Sequence, residues 1–318
     1  MINYIIQRVV HAVIIIVLVS LAVFLLIRML PGDPIEIIVS QNTLASYGPE
    51  YYDQLAHEYG LDRPVMIQFV DWFGNIIRGE FGNSILHNFN IGEQIKDRLT
   101  VTLLLGLTAF VISFIVGPLL GIISAIRRGT WIDNLVTVVA NIGITAPTFW
   151  IGILLIYFVG LKAGLLPLYG YTLPWTDLGL SIRQSIMPII VIALSPIASS
   201  ARQMRSSVLE VLNEDYVRTA WAKGLKEKAV IYKHVMKNSL MPVITLQGTM
   251  LRQIIGGQVV VETVFVIPGL GKMMVDAFLS NDYPVVQAVT LVMTIVVVIS
   301  SLVVDFLYGW IDPRIQYE

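Results

Sequence analysis

Arg252 is the charged residue with the most unusual surroundings in this chain, because it lies within the apolar run 240–261. A charge deep in a hydrocarbon layer costs about 2.5 kcal/mol or more, so such a side chain faces protein or water. Gln253 and Gln258 follow it on the same run. Two interpretations are open: a structural contact with an acid or a backbone carbonyl, and a cation in a wet passage that attracts anionic groups.

The common motifs of catalysis are missing from the sequence. It contains no His-Glu-x-x-His, no Gly-x-Ser-x-Gly and no paired aspartates within an apolar run, and it has no cysteine for a disulfide or a thiolate metal site. Residues 269–272 read Gly-Leu-Gly-Lys but lack the leading Gly and the Ser or Thr of a phosphate-binding loop. We therefore expect no catalytic residue, no metal site and no cofactor bound by this chain.

The charged segment 215–242, DYVRTAWAKGLKEKAVIYKHVMKNSLMP, lies between two apolar runs. Asn213 can cap a helix over 214–223, because its side chain accepts a backbone N–H that has no partner within the helix. Gly224 then stands where a left-handed residue ends a helix. The pattern predicts a short capped helix followed by a second helix over 227–237, although a solvated basic loop would have a similar composition.

The elements that must position these residues are membrane helices. The 318 residues are 56% hydrophobic and 14% charged, whereas soluble domains carry about 25% charged residues. The apolar residues are concentrated in runs near the length of about 20 residues that a spanning helix needs, although Pro188 and Pro196 interrupt the fourth run. The sequence predicts an all-α membrane protein with six transmembrane helices, over 9–30, 101–126, 135–161, 187–201, 240–261 and 285–308.

Lysine and arginine residues favour one orientation of these six helices. The short loop with Arg127 and Arg128 reports orientation best, and the basic loop 202–239 lies on the same side. Because such residues are concentrated in cytoplasmic loops, both termini are expected in the cytoplasm. The predicted organisation is an interfacial helix 1–8, a first span 9–30, an extracytoplasmic loop 31–100 and a core 101–318 that contains the basic loop.

The long loop 31–100 is predicted to be partly helical. A turn cluster occupies 31–34, and helices are expected over 49–59 and 65–77. The face of the second helix that contains Trp72 either caps the membrane domain or docks an extracytoplasmic partner, and the two roles are compatible.

Asn141, Thr145, Pro147 and Thr148 lie within the apolar run of the third predicted span. Proline kinks a membrane helix, and threonine can satisfy the backbone groups that the kink frees. Helix packing and pore lining are both open for Asn141 and Thr145. The net charge of −1 gives no reason to expect nucleic acid as a partner.

Segments along nearly the whole chain resemble, in order, the permeases of ABC importers in the dipeptide/oligopeptide/nickel branch. Within 215–242, Ala220, Gly224, His234, Asn238 and Pro242 match the docking loop of that branch, with Arg218-Thr219-Ala220 where Glu-Ala-Ala is usual in the wider family. The other matching segments are FLLIRMLPGDP at 24–34, YGLDRP at 59–64, GEFGNS at 79–84, PTFW at 147–150, VVETVFVIPGLG at 260–271, DYPVVQ at 282–287 and the stretch 305–314.

The resemblance implies the B-type transmembrane subunit of such an importer, with a type I ABC importer permease fold, in the inner membrane of a prokaryote. The implied partners are a second homologous permease in a heterodimer, two cytoplasmic ATP-binding subunits that hold ATP and Mg, an extracytoplasmic solute-binding protein and membrane lipid. The implied substrate is a peptide, with nickel or its chelates, glutathione and some sugars as other substrates of the branch.

The expected site residues fall into three groups, and the resemblance itself implies no role for Arg252. Docking of the ATP-binding subunits is expected at Asp215, Tyr216, Arg218, Thr219, Ala220, Ala222, Lys223, Gly224 and Leu225. Candidates for the translocation path are Arg252, Gln253, Gln258, Thr145 and Asn141. Docking of the binding protein is expected at Trp72, Tyr169 and Pro268.

Two other classes of function were weighed against a permease subunit. A self-contained channel or secondary carrier needs intramembrane charges that bind or relay ions, for which the candidates are Arg252 and Asp305. Carriers commonly contain inverted repeats, and none is visible in this sequence. An intramembrane enzyme would need one of the missing catalytic motifs.

Overall fold

The computed structural model of the chain describes residues 2–29, 57, 62–256 and 258–311. The predicted turn at 31–34, nearly all of the predicted helix 49–59 and the chain beyond 311 lie outside these ranges. Within them the regular elements are helices, with an isolated bridge between Asn83 and Asn90 and no strand. The chain divides into two units, one within 1–100 and 269–302 and the other within 101–268 and 303–316.

The helices follow one another along the chain. In order they are α1 (Ile2–Arg28), α2 (Val65–Ile77), α3 (Ile91–Ile126), α4 (Trp131–Thr145), α5 (Thr148–Leu155), α6 (Leu178–Val211), α7 (Asp215–Ala222), α8 (Glu227–Val230), α9 (Met236–Gly256), α10 (Val259–Val264), α11 (Leu270–Leu279) and α12 (Tyr283–Ile311). Two of them continue as π-helix: α5 over Ile156–Lys162 and α8 over Ile231–Val235.

Four of these helices, α1, α3, α6 and α12, are long and apolar enough to cross a membrane. The third predicted span is two segments, Trp131–Thr145 and Thr148–Lys162, bent by 109° at the break before Pro147. Counting the bent pair as one span gives up to five in the described residues, against six predicted. The fifth predicted run, 240–261, is divided between α9 and α10.

The fourth predicted span is longer than its apolar run, because α6 continues through Pro188 and Pro196 over 34 residues. Proline is tolerated within membrane helices because neighbouring groups can satisfy the carbonyl that it leaves without a donor. The segment 1–8 joins α1 without a break from Ile2 onward.

In the first unit, α2 packs an aromatic face on α1. The helix has the predicted bounds, Val65–Ile77, and Gly79 follows it with a φ of 86°. The Phe24 ring lies 5.4 Å from that of Phe69 and 5.6 Å from that of Trp72. Because Trp72 is half-buried in this contact, the described geometry includes the capping role predicted for this face.

Two of the matching segments of the sequence meet within the first unit. The hydroxyl of Ser84, from GEFGNS, donates to the carboxylate of Asp282, from DYPVVQ, at 2.5 Å. Both side chains are buried. A buried carboxylate needs such donors, so this bond fixes the extended segment before α3 against the start of α12.

In the second unit, α3 and α6 approach closely at two glycines. A Cβ on Gly117 would lie 2.6 Å from the Cβ of Ser200, and one on Gly121 would lie 2.6 Å from the Cβ of Met204. The glycines are four residues apart, in the small-xxx-small spacing that lets membrane helices pack backbone to backbone. The sequence analysis did not single out this pair, although the spacing is visible in the sequence.

Candidate functional site

The short helix predicted in the basic loop is present as α7, and its C-terminal end has the predicted geometry. Gly224 has a φ of 77°. Its N–H donates to the carbonyl of Trp221 at 2.9 Å, and the N–H of Leu225 donates to the carbonyl of Ala220 at 3.4 Å. These two bonds form a Schellman motif, which satisfies carbonyls at the helix end and makes it rigid.

The predicted N-terminal cap of this helix is wrong. Glu214 is the N-cap residue and makes no side-chain capping bond, whereas the amide of Asn213 donates to the carbonyl of Leu209 at 2.9 Å. An asparagine between two helices can serve either one, and here it serves the end of α6. The second predicted helix, 227–237, also differs, because α8 continues through a π-helical turn into α9, which contains Pro242.

The capped helix α7 is attached to the second unit by its apolar side. Val217 is fully buried and Ala220 is 5% exposed, and both belong to a core that also contains Met204 and Val208 of α6 and Val243 of α9. Tyr216 accepts a hydrogen bond from the amide of Asn238 at 2.7 Å. A displacement of α7 therefore acts on the ends of both α6 and α9.

The rest of the surface of α7 is exposed, as is the turn that follows it, and both include large side chains. Tyr216, Trp221 and Leu225 are each about 41–44% exposed. Trp221 was not among the residues predicted for docking. The other predicted residues are exposed as well: Asp215, Arg218, Thr219, Ala222, Lys223 and Gly224. Ala220 is the exception, because it packs in the core and is not available to a partner. Aromatic and arginine side chains of this kind are enriched where proteins bind one another.

An ion pair that the sequence analysis missed connects α4 to α6. The guanidinium of Arg205 donates to both carboxylate oxygens of Asp133, at 2.7 Å and 2.9 Å. The hydroxyl of Ser124 and the N–H of Gly129 donate to the same carboxylate, at 2.5 Å and 3.0 Å. The side chain of Asp133 is 5% exposed. This bidentate contact orients the helix that leads into α7.

The candidates for a translocation path are not brought together as one group. Asn141 and Thr145 are exposed at the end of α4, where the Thr145 hydroxyl donates to the Asn141 carbonyl at 2.8 Å. Arg252 is half-buried on α9. Gln258 is 1% exposed, and its amide would collide with a Cβ on Gly106.

Gln253 has a different environment, since it lines a cleft of about 190 Å³. Thr148 of α5 and Ser195 of α6 also line this cleft, and the sequence analysis did not group them with Gln253. They are 47 and more residues apart along the chain, so only the packing of α5, α6 and α9 brings them together. Arg252 is not among the cleft residues.

Buried polar contacts fix the helices around this cleft. The amide of Gln247 donates to the hydroxyl of Ser200 at 2.5 Å, and the hydroxyl of Thr102 donates to the fully buried carboxylate of Glu262 at 2.7 Å. Such contacts specify how membrane helices pair, because the alternative is an unsatisfied polar group in an apolar setting. Glu262 lies in the segment VVETVFVIPGLG, and no role was predicted for it.

Two of the residues predicted to dock a binding protein lie on neighbouring loops of the second unit. The N–H of Gly170 donates to the carbonyl of Phe265 at 3.1 Å, which places the loop of Tyr169 beside that of Pro268. Tyr169 is 69% exposed, and Pro268 is exposed. Val266 lies between Phe265, which is buried, and the exposed Pro268. It has a φ of 51°, which is a strained conformation for a β-branched residue.

Two family models together match nearly the whole chain. The model described as binding-protein-dependent transport system inner membrane component matches residues 117–317, and the model for the N-terminal part of such components matches residues 1–106. Curated relatives include the oligopeptide transport system permease protein AppB of Bacillus subtilis, 37% identical over 99% of both chains. The di/tripeptide transport system permease protein DppB of Pseudomonas aeruginosa is 36% identical over 94% of both chains.

Solved structures with a similar fold include membrane subunits of importers. An inward-facing conformation of the MetNI methionine ABC transporter matches with a TM-score of 0.56 and 16% identity, over 69% of this chain and 96% of that one. An amino acid ABC transporter with histidines matches with a TM-score of 0.51 and 14% identity, over 70% and 94%. At these identities the likeness shows the fold, and it confirms the predicted all-α fold of type I importer permeases.

Proposed function

The chain belongs to the family of binding-protein-dependent transport system inner membrane components, and from this membership we propose that it is one permease subunit of an ATP-driven peptide importer. A second, homologous permease forms the passage with it. Two ATP-binding subunits carry out the hydrolysis and hold ATP and Mg. An extracytoplasmic solute-binding protein delivers the substrate, and this chain contributes no catalytic residue.

The observation that carries this proposal is the two-sided character of α7. One side, with Val217 and Ala220, is buried in the core of the second unit, whereas Tyr216 and Trp221 of the helix and Leu225 after it are exposed to solvent. The basic residues of loop 202–239 favour a cytoplasmic position for this exposed side by the positive-inside rule. A rigid helix with these two faces suits the transmission of force from a cytoplasmic subunit.

The contacts of α7 indicate how that force reaches the passage. When an ATP-binding subunit moves α7, the shared core carries the movement to α6 and α9. The ion pair of Asp133 with Arg205 makes the start of α4 move with α6. Because a bidentate contact resists both rotation and translation, α4 and α6 then act as one body.

Peptides are the substrate class that the relatives favour, since curated relatives along the full length are named for oligopeptide or di/tripeptide transport. The exposed loops around Tyr169 and Pro268 provide a surface where a loaded binding protein would dock, on the side opposite to α7. Both termini then lie in the cytoplasm, and the protein is a multi-pass component of the inner membrane. A self-contained channel or carrier has no comparable support from the family.

The test is peptide import by the complete complex in proteoliposomes, with its binding protein and ATP. We expect Trp221→Ala to reduce both import and the ATPase activity that the loaded binding protein stimulates. Trp131→Ala is the matched control, because Trp131 is 72% exposed and lies outside α7. Equal activity of the two variants would contradict the docking role, and no import by the unmodified complex would contradict the proposed substrate.

A further inference from the structure

The cleft in the second unit has an uncharged, mainly apolar lining that contains three polar side chains. Thr148 of α5, Ser195 of α6 and Gln253 of α9 provide two hydroxyl groups and an amide. The other lining residues are apolar: Val191, Ile192, Pro196, Met250, Ile254 and Val261. A ligand that fits this lining is itself neutral and offers both a hydrogen-bond donor and an acceptor.

The hydroxyl groups of this cleft differ from others in the same unit. Those of Ser185 and Thr145 each donate to the carbonyl four residues earlier, at 2.6 Å and 2.8 Å, which is how such residues are satisfied in apolar helices. In contrast, the side chains of Ser195, Thr148 and Gln253 have no hydrogen-bond partner within the described residues, and all three are exposed. They are therefore available to a molecule in the cleft.

A backbone acceptor adds to these three side chains. Pro196 has no N–H, so the carbonyl of Ile192, four residues earlier, lacks the donor that an uninterrupted helix would supply. Ile192 and Pro196 both line the cleft. The wall of α6 thus offers a carbonyl next to the Ser195 hydroxyl.

We propose that this cleft is a subsite for the main chain of the transported peptide, an inference that rests on the proposed function. A peptide group is neutral and carries one donor and one acceptor. The Ser195 hydroxyl and the Ile192 carbonyl accept from its N–H, and the Gln253 amide donates to its carbonyl. The cleft has room for roughly six water molecules, so it holds a short stretch of main chain.

This assignment has a consequence for selectivity. The contacts address groups that every peptide shares, and the apolar walls accept side chains without a specific partner for any of them. Arg252 is not part of the lining, so the subsite does not read the terminal carboxylate. The permease would then accept peptides of many sequences. It would discriminate only against molecules that lack the amide N–H.

The experiment compares import of trialanine with import of an analogue in which one amide is replaced by an ester. Both are supplied at saturating binding protein, so the comparison between permease variants cancels the preference of the binding protein. Loss of one neutral hydrogen bond changes a rate or an equilibrium by about two- to tenfold. We expect Ser195→Ala to slow import of trialanine by that factor and to leave the ester nearly unchanged.

The control is Thr108→Val, since the Thr108 hydroxyl donates to the Leu104 carbonyl at 2.6 Å and lies outside the cleft. This variant should slow neither substrate. If Ser195→Ala slows both substrates equally or slows neither, the cleft does not contact the amide, while import by the unmodified complex still supports the proposed function. If the unmodified complex imports no peptide, the proposed substrate and this inference are both wrong.

A second measurement avoids dependence on the transport rate. The chain has no cysteine, so Ser195→Cys introduces a single thiol into it. Trialanine should slow maleimide labelling of this thiol in the complex, and it should not slow labelling of Thr108→Cys. A Ser195→Cys thiol that reacts equally with and without peptide, or that is blocked by the partner permease at all times, would overturn the proposal.

Discussion

The Arg205→Met substitution removes the cation that neutralises Asp133 and tests how firmly α4 is joined to α6. Breaking a buried ion pair from one side costs about 3–5 kcal/mol, because the remaining charge stays in an apolar setting. Here Ser124 and Gly129 still donate to the carboxylate, and the Arg205 side chain is 31% exposed. We therefore expect a loss near the lower end, about 2–4 kcal/mol.

The assay is thermal unfolding of the purified complex, followed by tryptophan fluorescence. Asp133→Asn combined with Arg205→Met should recover part of the loss, because asparagine is neutral. Its amide oxygen can still accept from the Gly129 N–H, while its NH2 group donates to the Ser124 hydroxyl, which turns to accept. The control is Arg63→Met, which breaks a pair with Asp71 in which both side chains are 53% exposed and which contributes about 1 kcal/mol or less.

Equal melting temperatures for the Arg205→Met and Arg63→Met variants would refute this reasoning. A double variant no more stable than Arg205→Met would show that the loss comes from missing packing rather than from a stranded charge. The separate prediction for coupling is that Arg205→Met lowers import more than it lowers basal ATPase activity, since α7 itself is unchanged.

Other predictions follow from single contacts. Gly224→Val forces a β-branched residue to a φ of 77°, which costs about 1–2 kcal/mol. This variant should insert into the membrane but co-purify with less of the ATP-binding subunits. Normal import by the variant would contradict the prediction. Gly121→Ala should lower the melting temperature, because overpacking costs about 1–3 kcal/mol of folding free energy. Gly74→Ala should not lower it, since a Cβ at Gly74 would meet nothing within 4 Å. Glu80 and Lys226 are both exposed. The thiol of Glu80→Cys should react with an impermeant reagent from outside, whereas that of Lys226→Cys should react only after permeabilisation. Labelling of both thiols from one side would contradict the predicted orientation.

Elements with local signals could be predicted from the sequence. The bounds of α2 follow from Pro64 before it, its apolar face and Gly79 after it, and the end of α7 follows from Gly224. Such signals depend on a few neighbouring residues. The prediction of the N-cap of α7 was wrong for the same reason. Asn213 has a helix on each side, and the neighbouring residues do not decide which helix its side chain bonds to.

The sequence predicted a kink at Pro147, but the size of the bend and the length of α6 could not be predicted in this way. The same residue type ends α4 at Pro147 but is accommodated within α6 at Pro188 and Pro196. Whether a proline bends or breaks a helix depends on the groups that satisfy the freed carbonyl. Such groups can come from outside the segment, so the sequence of the segment alone does not contain the answer.

The site residues also differ in whether they are close in sequence or brought together only by packing. The residues predicted for docking, within 215–225, are close together in sequence, and their helix with its C-terminal glycine could be predicted. The cleft residues Thr148, Ser195 and Gln253 come from three helices, and Asp133 meets Arg205 across 72 positions. A tertiary pair of this kind leaves only a weak signal, an acid and a base near the ends of apolar runs. The glycines 117 and 121, by contrast, had a readable spacing.

The most direct test of the docking role of α7 is photocrosslinking in the assembled complex. A benzophenone side chain in place of Arg218, on the exposed side of α7, should give a light-dependent adduct of the permease with an ATP-binding subunit. The same group in place of Lys162, which is exposed and lies outside the basic loop, should give none. The absence of an adduct from position 218 in an intact complex, or an equal yield from position 162, would contradict the account.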